Sequence, residues 1–567
     1  MAETLVSPGV LARENDSSFI SQQPVTVGAA LIGPTLKGPV EVPTIVTSYS
    51  DFINRFGAVV ESGSETYTYF TSIAAYNYFI NGGETLLVSR VKSGSFTYAN
   101  STDVATPDFA SSFTLQTLSE GVIMNSAGSE DVYGALDNGT VNNIRWEIVN
   151  ASVADGTFDL LIRQGNDTTN NKIVLETWTN LSLDPLAENY ISKVIGDAVV
   201  AFNENLSNPQ VTVNGDYDNA SRYVRVSAIL HPTPNYFDNS GSPVAAYAGY
   251  IPNNQTGTFE GAAGSVMAGA NFYNNISGTN TQGLVGTDYD GMISLMANQD
   301  DYRFNILLTP GLYNSAYTAQ CTQLINNTQG RGDNLLVLDL VPYNSTVTSV
   351  TGQASTRNSS YVSSYWPWVR VMDPDLGKQV WVPASTVMAG VFAYNDSVSE
   401  PWFAPAGINR GGLGQVIRAE QRLSQTQRDT LYSGKVNPIA TFPGQGVVVY
   451  GQKTLQTRAS ALDRVNVRRL LITLKSYISQ VAQNLVFEQN TASTRNSFLS
   501  QVNPYLESVQ QRQGLYAFKV IMDDSNNTAD VIDRNQMIGQ IYIQPTKTAE
   551  FIYLDFNILP TGATFPA

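Results

Sequence analysis

Residues 69–91 read YFTSIAAYNYFINGGETLLVSRV, and this stretch decides the fold class. The run up to Ile80 has helical character, Gly82 and Gly83 are placed to stop it, and TLLVSRV follows as an unbroken β-type segment. A helix that ends on glycines and feeds a strand is half of an α/β unit. Working outward, VTVGAALIG (25–33) reads as a strand and DFINRFG (51–57) as a helix that Gly57 closes. The same alternation returns in GMISLMANQDDYRFNILLTPGLY (291–313) and DNLLVLDLV (333–341). The expected fold is therefore a multidomain α/β (α+β) chain in which residues 25–92 and 284–400 form one discontinuous domain.

Between those halves the texture changes. NIRWEIV, FDLLIR and YVRVSAIL are short β-type runs separated by Asn, Asp, Gly and Thr clusters, so residues 93–283 read as one or two inserted β-rich domains. Insertion into a surface loop is thermodynamically tolerable. Residues 1–24 contain Pro8, Gly9 and Pro24 without helical periodicity and read as an extended arm.

Residues 401–567 are expected to form a C-terminal α+β domain. Ser424 with Gln427 makes a capping box that Gly434 can close, and Ser460 with Asp463 offers a second helix start. In the second, Val467, Leu470, Leu471, Leu474, Ile478, Val481 and Leu485 line one face of a helix of about seven turns. YAFKVIM, QIYIQP and FIYLDFNIL then read as strands, the last needing a sheet to join.

Composition excludes whole classes of function. The chain has 567 residues with 32 basic and 48 acidic side chains, a net charge of -16 that disfavours nucleic acid, whose binding rests on Lys and Arg. No apolar run of about 18 residues offers a membrane span, and the first residues lack a secretory pattern, so a soluble chain without membrane insertion is expected. The single cysteine, Cys321, has no partner for a disulfide or a metal cluster.

Catalytic machinery is also missing from the pattern. The only histidine, His231, stands beside Pro232 without a GxSxG stretch, no GxxxxGK[ST] loop exists, and NRGGLGQ lacks dinucleotide spacing. Asp288, Asp290, Asp300 and Asp301 miss the EF-hand spacing, and the tripeptide Arg331, Gly332, Asp333 reads as a turn before a strand. No enzyme activity, cofactor or metal is expected. One positive feature remains: Arg464, Arg468 and Lys475 fall within about 40° of one another on the long helix. This basic stripe in an acidic chain is either a solvated edge with local ion pairs or a contact for an acidic partner.

FPGQGVVVYGQKT (442–454), LDRVNVRRLL (462–471) and VIDRNQMIGQIYIQP (531–545) resemble, in order and spacing, the tail sheath family of contractile-tailed phages, especially its T4-like branch. SPGV, GGETLLVSRV, YWPWV, WVPAS with MAGV, and FAPAG are similar to the family's recurrent segments, whereas residues 93–283 carry no such match. The resemblance implies a subunit of stacked rings, a homo-oligomeric helical sheath around a tail tube, bounded by baseplate and tail terminator proteins. Such a sheath is assembled in the host cytoplasm, resides in the virion tail, and contracts from a metastable extended state.

It further implies strand exchange between neighbours through terminal arms. Candidate linker residues are Leu5, Val6, Val10 and Leu11 in a segment from 5 to about 13, and Phe551, Tyr553, Leu554, Phe556 and Ile558 in a segment starting near 550. With the family's C-terminal domain innermost, Arg464, Arg468 and Lys475 would face the tube and the insert would face outward. A bacterially encoded contractile injection particle, and a β-rich glycan-binding or glycan-degrading tail protein, are the alternatives.

Overall fold

The computed structural model describes residues 27–62, 65–203, 209–265 and 272–551. Its centre is a six-stranded sheet built from two distant parts of the chain. The first part supplies β1 (Val27–Gly33), β2 (Thr44–Val46), α1 (Tyr49–Phe56), α2 (Phe70–Ile80) and β3 (Leu86–Arg90). The second supplies β4 (Phe304–Tyr313), α3 (Thr318–Arg331), β5 (Leu335–Asp339), β6 (Val362–Ser363) and α4 (Ala384–Val398). The strand order is β6-β5-β4-β1-β3-β2, parallel throughout except for β2.

β1 sits between β4 and β3, with Ala29 opposite Ile306 on one side and Leu86 on the other. Consecutive residues Ala29 to Ile32 are buried, as a parallel sheet covered on both faces requires. Gly57 ends α1 at φ 68°, a conformation that a Cβ would strain, and its N–H closes on the Ile53 carbonyl. The capping box of Ser424 and Gln427 is present with both bonds made.

The chain between β3 and β4 forms two four-stranded antiparallel sheets. One combines Tyr98–Ser101, Phe113–Glu120, Val224–Ile229 and Phe259–Glu260; the other combines Ile144–Ser152, Thr157–Gln164, Val174–Ser182 and Gln255–Gly257. Their shared core contains Phe113, Trp146, Phe158, Leu160 and Val226. Buried Arg163 is neutralised there by Asp167 at 2.7 Å and Glu147 at 3.0 Å, the pairing that a desolvated guanidinium needs.

Three further elements matter for function: α5 (Val465–Gln483), α6 (Ala492–Gln511) and the hairpin β7 (Leu515–Ile521) with β8 (Gln540–Pro545). The boundary expected at residue 401 is corrected. Leu413, Val416, Leu423, Leu431, Ile439, Val449 and Leu455 all bury in the core of the six-stranded sheet, so the separate C-terminal core starts only with α5. That second core joins Leu470, Leu474, Phe498, Val502, Leu506 and Leu515, and Trp402 joins it from upstream.

Candidate functional site

The start of α5 shows a local signal overruled by tertiary pairing. The Ser460 hydroxyl accepts a hydrogen bond from the Leu462 N–H and caps only a 3₁₀ turn, after which Arg464 is extended at φ -115°, ψ 135°. The cause is backbone pairing with residues 452–454: Thr454 N–H donates to Asp463 O at 3.0 Å and Val465 N–H to Gln452 O at 2.8 Å. α5 therefore begins at Val465 and runs for 19 residues, shorter than the expected seven turns. Its apolar positions also serve two cores: Val465 and Ile472 face the main one, while Leu470, Leu474 and Val481 meet α6.

The three basic residues of the expected stripe have three different surroundings. Arg464 pairs with Asp463 at 2.9 Å and grips Glu550 through Nε to Oε1 at 2.7 Å and Nη2 to Oε2 at 3.0 Å. Tyr432 and Gln452 also donate to Glu550. Burial raises the Glu550 carboxyl pKa, but the hydrogen bonds from Arg464, Tyr432 and Gln452 outweigh burial and leave it below its ordinary value.

Arg468 is only 4% exposed, lies over the Tyr361 ring at 3.9 Å and donates to Ser360 Oγ. Lys475 is exposed and donates from Nζ to the Tyr361 hydroxyl at 3.2 Å. The stripe expected from helical angles is thus not one solvated surface, because residues roughly a hundred positions upstream cover part of it. Only Lys475 presents its charge outward. Sequence reasoning missed Arg469, buried against Phe392 and paired with Asp396 on α4; the adjacent arginines in LDRVNVRRLL were its only signal.

β7 and β8 pair antiparallel, from Leu515 opposite Pro545 to Ile521 opposite Gln540, and no third strand joins them among the described residues. Leu515, Phe518, Val520, Ile541 and Ile543 pack toward α6, while Tyr516 and Tyr542 are exposed. A two-stranded sheet is marginal in isolation, and a sheet edge offers backbone groups that a further strand can use. Of the expected linker residues, Leu5, Val6, Val10, Leu11, Tyr553, Leu554, Phe556 and Ile558 lie outside the described residues. Phe551 is 69% exposed and in no regular element.

The residues screened for chemistry occupy structural positions. His231 stacks on Phe109 with ring centroids 3.6 Å apart, and Cys321 is buried, its thiol pushed up to about 12 by burial. Arg331 ends α3, with Gly332 in the left-handed region as its cap, and donates to Asp333 and to the carbonyls of Met296, Asn298 and Tyr302. Among the described residues no group of three or more His, Cys, Asp or Glu could hold a metal ion, and no helix is long and apolar enough to cross a membrane.

Residues 282–455 match the family model described as Phage tail sheath protein central domain, and residues 457–559 match Phage tail sheath C-terminal domain. Together these two matches to phage tail sheath domains take up just under half of the chain. The junction between the two matches falls just before the Ser460 turn, close to where the second core begins. The tail sheath protein of Vibrio phage KVP40 is 46% identical over 185 residues, covering 33% of this chain and 28% of that protein. The tail sheath protein of Salmonella phage ViI is 33% identical over 289 residues, covering 47% and 46%. The chain thus matches less than half the length of these sheath relatives. In fold it is similar to the crystal structure of the sheath tail protein from Listeria innocua, at a TM-score of 0.53 and 11% identity over 92% of this chain and 96% of that one.

Proposed function

We propose that this chain is the structural subunit of a contractile tail sheath. Copies polymerise as stacked rings around an inner tail tube, between baseplate and tail terminator proteins, in a virion tail assembled in the host cytoplasm. Contraction is the release of a metastable packing into one of lower free energy, so the chain needs no catalytic residue. The observation that carries this reading is that the match to the sheath C-terminal domain falls on a unit whose β7–β8 sheet is joined by no third strand among the described residues.

Strand addition fixes a neighbour through backbone hydrogen bonds while the joints on either side stay free to rotate. The donors in this reading are the arm containing Leu5, Val6, Val10 and Leu11 and the arm from Phe551 through Tyr553, Leu554, Phe556 and Ile558. The insert at residues 93–283 faces outward and the C-terminal unit faces the tube. The tube contact rests on Lys475, whose charge is not enclosed by the subunit. Deleting residues 1–15 should leave a folded subunit that forms no sheath; normal sheaths from the deletion would contradict the exchange.

A further inference from the structure

Carboxylates serve the cations of this chain unevenly. The insert, residues 93–283, holds 19 acidic and 6 basic residues, and five of those cations, Arg145, Arg163, Lys172, Lys193 and Arg222, sit in ion pairs. Residues 410–458 hold seven basic and two acidic residues, and none of the seven makes an ion pair among the described residues. In a chain of net charge -16 such a run of unpaired cations is an anomaly.

Part of this region is a three-stranded antiparallel sheet in which Val369–Met372 lies between Gln379–Val382 and the edge strand Val416–Ala419. Arg370 stands directly opposite Arg418 on one side and Trp381 on the other. Like charges in opposed positions destabilise a sheet, so this register calls for compensation. Trp381 supplies part of it: its ring centroid is 5.6 Å from the Arg370 guanidinium and 5.1 Å from that of Arg418. Sharing one ring brings both cations to one place. Glu420, two positions beyond Arg418, pairs with neither and accepts from the Asn344 N–H at 2.7 Å. Ile417 and Arg418 on the edge strand are exposed, as is Arg422 just beyond it. Arginines and a tryptophan are the residues that dominate binding energy at interfaces, and guanidinium groups already held on a ring lose less freedom on docking.

We propose that this arginine-rich edge docks the acidic insert of a second copy of the chain. Asp103, Asp216, Asp218 and Glu260 of the insert are exposed and have no ion pair among the described residues, so the two surfaces are complementary in charge. A carboxylate from the neighbouring copy supplies what the opposed arginines lack. That copies meet at all rests on the sheath reading; the choice of surfaces does not.

The test uses Arg418→Lys, which keeps the charge and adds an amine that a carbodiimide joins to a touching carboxylate. Isotopically light and heavy copies of the full-length variant are mixed, polymerised with tail tubes, cross-linked and digested for mass spectrometry. The expected product joins residue 418 of one copy to a carboxylate of residues 93–283 in another, and carries both labels. Arg418→Glu combined with Arg422→Glu should raise the concentration needed for polymerisation about tenfold at low salt, a difference that high salt removes. A protein that forms no polymer overturns this proposal together with the sheath reading. Normal sheaths in which residue 418 is joined only to the tube, to its own copy or to nothing overturn this proposal alone, as does an unchanged polymerisation concentration in the double variant.

Discussion

Arg464 holds Glu550 from 86 residues away in sequence with two hydrogen bonds, at 2.7 and 3.0 Å. This clamp fixes the root of the segment that leaves β8. Charge-assisted bonds to a largely enclosed carboxylate are worth about 1.5–3 kcal/mol. Arg464→Ala should therefore lower stability by that order and speed hydrogen exchange across residues 545–551; unchanged exchange there would contradict the clamp. Because the Glu550 pKa is depressed, its contribution is present above the ordinary carboxylate pKa and is lost as pH falls through the folded value.

Arg468 and Lys475 should separate cleanly on charge reversal. Arg468→Glu places a carboxylate against the Tyr361 ring in a desolvated site and should destabilise the subunit by about 3 kcal/mol or more. Lys475→Glu should change stability by less than about 0.5 kcal/mol yet impair assembly on tubes more than self-assembly. Denaturant melts and co-sedimentation with tubes check both outcomes. Equal loss of both kinds of assembly in Lys475→Glu would remove the proposed tube contact.

Asp339 predicts a pH dependence of opposite sign to that of Glu550. Buried at the end of β5, with Tyr313 and Cys321 nearby, it is raised by burial from 3.8 to about 7, although hydrogen bonds from the Ser385 hydroxyl and N–H work against the shift. Its contribution is full in acid and is lost as pH rises through about 7. Asp339→Asn should flatten the decline of Tm across that window; an unchanged slope would show that the residue does not titrate there.

The second core is small enough for one side chain to decide its stability. Leu506 on α6 is fully buried against Leu470 and Leu474, so Leu506→Ala should cost about 2–5 kcal/mol by urea denaturation. Tyr516→Ala, on the outer face of β7 at 63% exposure, should cost less than about 0.5 kcal/mol.

The parts of the fold that were legible in sequence are those set by local chemistry. The helix-to-strand passage at 69–91, the Gly57 stop and the Ser424 capping box depend on neighbours within a few residues, and the structure contains each of them. α6 was not read as a helix because Ser, Asn, Gln and Thr crowd it and Pro504 lies inside it. Yet Arg495, Phe498, Val502, Leu506 and Val509 recur at helical spacing along its buried face.

The candidate site was less legible, for a physical reason. A helical wheel places Arg464, Arg468 and Lys475 together but carries no information on Tyr361, Glu550 or residues 452–454, which set their exposure and the helix start.

The central claim is that this chain polymerises into a sheath. Electron microscopy of the purified full-length protein, alone and with tail tubes, tests it most directly. The account predicts striated tubular polymers of stacked rings, with tubes favouring a longer, narrower form than the protein adopts alone. Discrete monomers or small closed oligomers under both conditions would contradict it.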